Sequence, residues 1–320
     1  MNPLAAVFGR CYNKVILSSE AITLKKMLFV VNPQAGMRKA NRYLSDIISI
    51  FNRGDYQVIT HITAAPGDCT QVVRAMAGEV DIVVCAGGDG TFNETITGIL
   101  ESGCDTPIGY IPCGSTNDFA ATLHLSTNIL QAARDIVEGA PQRYDVGQFG
   151  QRFFSYVASF GAFTRVSYST PQNIKNALGH TAYILGGIQE LSQIRTEHVR
   201  IETEDKVIED DFLFGAISNS TSVGGILTLD PKQVDMQDGR FELLLVRAPR
   251  DLTEIHECIL ALQKQQYNCA MITFLGAKQL KVIADPEMPW TLDGEREAGS
   301  REIVVKNIHK AIRLIKKVSK

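Results

Sequence analysis

Apolar positions in the first part of the chain switch between two periods. Residues 28–31 form an unbroken apolar run that ends at Asn-Pro-Gln-Ala-Gly, the pattern of a buried strand feeding a turn. Tyr43, Leu44, Ile47, Ile48 and Phe51 then recur at helical spacing within 38–53, until Gly54 stops them. Residues 56–60 read as a strand, and Pro66-Gly67-Asp68 opens a helix carrying Val72, Val73 and Met76. A second buried strand over 81–86 ends at Gly87-Gly88-Asp89-Gly90, and 91–100 is helical. A third strand over 108–111 runs into Gly114-Ser115-Thr116-Asn117-Asp118, and a helix over 128–138 stops at Gly139. Alternation of strand and helix to about residue 145 predicts a doubly wound parallel sheet. In such sheets ligands collect beyond the carboxyl ends of the strands, where each glycine-rich turn here falls.

After Tyr144 the pattern changes. Strand-like runs appear at 153–160, 199–202, 207–208, 212–217, 241–246 and 280–283, many of them separated by Gly, Pro, Asn or Asp. Helical stretches near 181–194 and 251–266 interrupt them, and 303–305 and 312–315 are strand-like again. The pattern predicts an α/β domain over 27–147 followed by a β-rich domain over 148–302, a sandwich or distorted barrel, with 303–320 returning to the first domain. Residues 1–26 hold one short apolar stretch with no charge before it, a poor signal peptide. They read as an extension ahead of a natural start at Met27.

Composition narrows the function classes. A chain of 320 residues is longer than one core usually serves, which fits two domains. Its formal net charge of −3 and pI near 6.1 argue against a dedicated nucleic-acid binder. The 7 cysteines form no C-x-x-C pair, and the 6 histidines form no H-x-x-x-H pair. A reducing cytosol fits better than a disulfide framework or a zinc site. No apolar run reaches the ~20 residues that span a bilayer.

The turns carry the chemistry. Asn32, Pro33, Gln34, Ala35 and Gly36 precede a helix, whose first N–H groups can cradle phosphate. The run Gly87, Gly88, Asp89, Gly90, Thr91, Asn93 and Glu94 offers the same geometry with an acid added. Ordinary strand–helix turns account for the first loop as well as phosphate binding does. Gly-Gly-Asp-Gly-Thr is harder to explain by packing. A carboxylate among phosphates repels the ligand unless a cation stands between them, so Asp89 reads as acting through Mg²⁺ or its waters. No Gly-x-x-x-x-Gly-Lys-Ser/Thr occurs, which excludes a P-loop NTPase.

Asn32-Pro-x-Ala-Gly36, Gly87-Gly-Asp-Gly-Thr-x-Asn-Glu94 and Pro112-x-Gly-Ser-Thr-Asn-Asp-Phe-Ala120 resemble the three signature blocks of the diacylglycerol kinase catalytic-domain family. The resemblance is to the soluble bacterial diacylglycerol-kinase-like lipid kinases, over about 27–315. It implies a phosphofructokinase-like parallel α/β nucleotide domain, a β-sandwich domain for the lipid acceptor, and an active site in the cleft between them. It implies ATP as co-substrate and Mg²⁺, with the nucleotide on residues 32–36, Thr63, residues 87–94 and Ser115. Ser115 stands where the family commonly has Thr, which keeps the hydroxyl.

The resemblance further implies a structural Mg²⁺ at an acidic turn, with Asp238 giving a carboxylate and Asp235 and Arg240 giving carbonyls; by spacing alone this turn is a plain hairpin. It implies a general base in the Asp293-Gly294-Glu295 block without settling which carboxylate, with Asp293 slightly preferred because it leads the block. Peripheral contact with an anionic inner-membrane face is expected through Arg38, Lys39, Arg42 and Lys175, and relatives suggest a homodimer. Two rival readings are a soluble-acceptor kinase of the NAD-kinase or phosphofructokinase type and a silent lipid- or nucleotide-binding regulator. Asn117-Asp118-Phe119-Ala120 argues against the first, and the retained Asp89, Asp238, Asp293 and Glu295 argue against the second.

Overall fold

The computed structural model describes residues 24–161, 196–223, 227–248 and 250–317. The expected helix near 181–194 and Lys175 lie outside them. Strands β1 (Lys25–Val31), β2 (Tyr56–Ile62), β3 (Ile82–Gly87) and β4 (Ile108–Pro112) are parallel, in the order β4-β3-β1-β2. Between and after them run α1 (Lys39–Arg42), α2 (Leu44–Arg53), α3 (Asp68–Met76), α4 (Asp89–Ser102), α5 (Asp118–Thr122) and α6 (Ile129–Glu138). Side chains of β1 leave alternately on two faces. Met27, Phe29 and Val31 pack with Ile47, Phe51 and Ile136 from α2 and α6; Leu28 and Val30 pack with Val73, Phe92 and Ile96 from α3 and α4. A strand covered on both faces reads as an unbroken apolar run, which is why 28–31 and 81–86 were legible.

The second half supplies β5 (Ala140–Phe149), β6 (Arg152–Phe154), β7 (Val157–Gly161), β8 (Glu197–Thr203), β9 (Val207–Ser218), β10 (Ser222–Val223), β11 (Leu227–Thr228) and β12 (Phe241–Arg247). Helix α7 (Leu252–Gln263) precedes β13 (Ile272–Ala277), β14 (Gln279–Ala284), β15 (Trp290–Leu292), β16 (Glu295–Glu297) and β17 (Glu302–Lys316). A β-sandwich core forms around Phe154, Phe160, Leu243, Leu245, Val282 and Trp290. The Trp290 ring lies 4.8 Å from Phe149 and 5.0 Å from Phe160, both edge-on. The architecture is an α/β layer followed by a β-sandwich.

Strand β17 joins the two. Its first residues pair antiparallel with β14, Leu314 pairs parallel with Ile108 of β4, and β5 runs antiparallel along both portions. The sequence suggested two strands, at 303–305 and 312–315. They are one strand, with a register shift between Ile308 and Ile312. The polar break at His309-Lys310 is absorbed by the fully buried Asp145, whose Oδ1 accepts from Lys310 N at 2.7 Å and faces His309 Nδ1 at 3.1 Å. The run 153–160 is conversely split into β6 and β7, for a reason that belongs to the site.

Candidate active site

Three loops meet at the carboxyl ends of β1, β3 and β4. Asn32 donates through Nδ2 to Thr91 Oγ1 at 2.9 Å, tying the first loop to α4, and accepts from Gln34 N at 3.0 Å. Gly36 adopts φ 54°, and Pro33 to Gly36 lie on the partly exposed rim. Thr63, at the end of β2, points its N–H and Oγ1 at Val31 O at 2.9 and 3.4 Å. The second and third loops touch backbone to backbone. A Cβ on Gly114 would lie 2.6 Å from Gly88 Cα, and one on Gly87 would lie 2.4 Å from Thr91 Cβ. The glycines therefore serve close approach here. Asn117, at φ 54°, closes its own loop by accepting from Gly114 N at 2.8 Å. Ser115 is exposed on the same loop.

Asp89 opens α4 and is 8% exposed. Its Oδ2 accepts from Thr116 Oγ1 and Asp118 N, each at 3.2 Å, and its Oδ1 from Phe119 N at 3.4 Å. Burial first, then the charges of Asp118 and Asp293, push its carboxyl up to about 6. Asp118 in turn accepts from Ser222 Oγ at 2.6 Å, a contact between α5 and β10. Glu94 is engaged elsewhere, accepting from Gly67 N at 2.9 Å and so bracing the loop that leads into α3. Asn93 reaches across to the β-sandwich, donating to Asp293 Oδ2 at 2.8 Å and to Phe153 O at 3.0 Å.

Asp293 and Glu295 occupy different environments in the tight turn between β15 and β16. Asp293 is 7% exposed, at φ 50°. Its Oδ2 accepts from Ser155 N at 2.5 Å, Ser155 Oγ at 2.8 Å and Asn93 Nδ2 at 2.8 Å; its Oδ1 accepts from Tyr156 N at 2.9 Å and Val157 N at 3.1 Å. This cradle splits the predicted strand at 153–160: the N–H groups of Ser155 to Val157 turn to a carboxylate. Burial pushes the Asp293 carboxyl up, and the donors pull it back down. Glu295 is 62% exposed at its side chain. It overhangs the second loop: a Cβ on Gly90 would lie 3.1 Å from Glu295 Oε1. Its Oε2 is 3.4 Å from Arg152 Nη2.

The acidic turn lies before β12. Asp235 and Asp238 are exposed and accept from Gln237 N at 2.9 Å and Arg240 N at 2.8 Å. Beneath them Glu242 is buried, its carboxyl pushed up to about 8 by burial and then by Asp238. Among the described residues the turn has no direct hydrogen bond to the three loops. It connects through Asp145, which accepts from Gly239 N at 2.7 Å, and Asn219, which donates to Asp145 O at 2.8 Å and Ser155 O at 3.2 Å. Exposed Arg42 stands near the first loop.

Sequence reasoning missed Ser155 to Val157, Arg152, Ser222 and Asp145, which bind only across large sequence separations. The adjacent Phe153-Phe154, which breaks strict alternation just before Ser155, was the one local sign.

Two family models match the chain. The diacylglycerol kinase catalytic domain matches residues 26–149, and the YegS C-terminal NAD kinase beta sandwich-like domain matches 157–316. A diacylglycerol kinase of Bacillus subtilis is 31% identical over 274 residues, covering 85% of this chain and 90% of the relative. One from Staphylococcus saprophyticus is 32% identical over 273 residues, with 85% and 89% covered. The fold matches a crystal structure of a diacylglycerol kinase from Bacillus anthracis with TM-score 0.71 at 22% identity, covering 92% of this chain and 97% of that one. The chain belongs to the diacylglycerol kinase family. It is a lipid kinase, and membership of that family implies ATP as co-substrate. Among the described residues, no helix is long and apolar enough to cross a membrane.

Proposed function

We propose that the enzyme transfers the γ-phosphoryl group of ATP to the hydroxyl of a diacylglycerol-like lipid, giving a phosphatidic-acid-type product. The observation that carries this reading is the overhang of Glu295, from the β-sandwich, above Gly90 of the nucleotide loop. This overhang supports Glu295 as the proton acceptor for a hydroxyl brought against the phosphates. The loops around Asn32 to Gly36, Thr63, Gly87 to Thr91 and Ser115 hold and align the nucleotide. The acceptor oxygen forms its bond to the γ-phosphorus, the bond to ADP breaks, and the hydroxyl proton passes to Glu295. Asp293 holds the turn that presents Glu295, since both of its oxygens are already saturated by donors.

The oxygen-only donor sets fit a hard cation. Asp118 and Asp293 raise the cost of ionising Asp89, and Asp238 does the same to Glu242. Among the described residues no three such side chains form a ready cage. Mg²⁺ commonly completes its shell with water and substrate phosphate. When bound near Asp89, it neutralises charge on the β- and γ-phosphates. A second ion would be held by Asp238 with the carbonyls of Asp235 and Arg240, as a structural element. In that case Mg²⁺ raises the Tm of the nucleotide-free protein, and Asp238→Ala removes most of that rise. Equal Mg²⁺ responses in the two proteins, by calorimetry, would remove the structural ion.

The test of function is labelled ATP with a panel of lipid alcohols in vesicles of varied anionic content and salt. Phosphorylation of diacylglycerol, favoured by anionic lipid and weakened by salt, is expected. Transfer to a soluble alcohol such as NAD, with none to any lipid, would overturn the lipid acceptor. Indifference to salt and anionic lipid would overturn peripheral docking through Arg42 and its basic neighbours.

A further inference from the structure

Arg152, at the start of β6, stands outside the signature blocks yet faces both carboxylates of β16. Residues 295 and 297 share one face of that strand, because side chains alternate. The Arg152 guanidinium divides between them, with Nη1 on Glu297 Oε2 and Nη2 on Glu295 Oε2. The two contacts are unequal. Glu297, 22% exposed at its side chain, holds the closer one; Glu295, 62% exposed, holds the looser one at 3.4 Å. Glu297 therefore fixes the guanidinium, and the other arm of the fork steers Glu295. A planar fork with several donors suits this division better than an ammonium does.

We infer that Arg152 is a positioning residue for the phosphoryl-transfer base. It holds Glu295 Oε2, so that Oε1 stays directed at Gly90 and the nucleotide loop. Oε1 itself has no hydrogen-bond partner among the described residues, which leaves it to take the acceptor proton. Without Arg152 two neighbouring carboxylates face each other on one strand face, and their repulsion turns Glu295 away from the loop. The segment holding Arg152 continues directly into Ser155 to Val157, which grips Asp293. One stretch of backbone thus sets both ends of the turn: the buried carboxylate by its N–H groups, the exposed one by a guanidinium.

This inference rests on Glu295 as the base, and a double-mutant cycle separates the two claims. Arg152→Gln is expected to lower kcat by about 10- to 100-fold, as misplacement of a reacting group does, with KM for ATP within about twofold and Tm unchanged. Glu297→Gln should give a smaller loss of the same kind. Arg152→Lys, which keeps the charge and loses the fork, should fall between Gln and the native enzyme. In a Glu295→Gln background, Arg152→Gln should have no further effect on kcat. An undiminished effect in that background, a kcat within twofold of native for Arg152→Gln alone, or a loss explained by a lower Tm each overturn the positioning role. Should Glu295→Gln alone keep native kcat, the base assignment fails first, whatever Arg152 does.

Discussion

Asp293→Ala is expected to lower the unfolding free energy by about 3–5 kcal/mol and to abolish activity, whereas Glu295→Gln leaves stability untouched and removes only kcat. The Asp293 side chain accepts from three backbone N–H groups, one hydroxyl and one amide, all inside the protein. Alanine leaves these donors without a partner where water cannot readily replace it. Asparagine is little better, because its NH₂ would meet N–H donors on whichever side it took. Glu295 is largely exposed, so Gln costs little stability there, while loss of a placed base costs about 10²–10⁴-fold in rate. Urea unfolding and kcat measured on the same preparations check both halves. A native midpoint for Asp293→Ala would remove its structural role, and a native kcat for Glu295→Gln would return the base to Asp293 or move it elsewhere.

The difference between the two acids shows where sequence reading stops. Asp293 leads the block, and from the chain alone it was the slightly preferred base. Its environment is made by Ser155 to Val157, 138 to 136 residues earlier, and by Asn93, 200 residues earlier. No local period records such pairings. The nucleotide loops were legible for the opposite reason: each is one strand end followed by one turn, and a strand buried on both faces announces itself as an apolar run.

The contact of Gly88 with Gly114 was half legible. Glycines in both loops signalled close backbone approach, but not that the loops approach each other. Strand β5 went unread because its first residues, Ala140 to Arg143, are partly exposed or exposed and pair with β17 at the far end of the chain. The break at Lys310 concealed one long strand for a related reason. The buried carboxylate that accommodates the break belongs to β5.

Asp89→Asn is expected to stop catalysis and to stabilise the protein, both through the same charge. Burial, then Asp118 and Asp293, raise the folded carboxyl from 3.8 to about 6. The folded state thus holds this proton more tightly than the unfolded chain does between those two values. Its contribution to stability is full below about 4 and is lost as pH rises through about 6. Above that, the ionised Asp89 opposes folding, by about 3 kcal/mol at most from the size of the rise. Asparagine carries no charge at any of these pH values, and its oxygen can still accept from Asp118 N, which turns its NH₂ only to the longer of the two backbone contacts, Phe119 N at 3.4 Å. In EDTA at pH 8 the variant should therefore unfold at a higher temperature than the native enzyme, by roughly 1–3 kcal/mol of stability, and the gap should close as pH falls towards 5. Activity with saturating Mg²⁺ and ATP should drop by about 10²-fold or more, as on removal of a group that organises charge on the transferring phosphate. Native-like turnover would dismiss Asp89 from the mechanism. A variant less stable than native at pH 8, or a gap that widens on acidification, would show that the buried charge is already compensated within the folded protein.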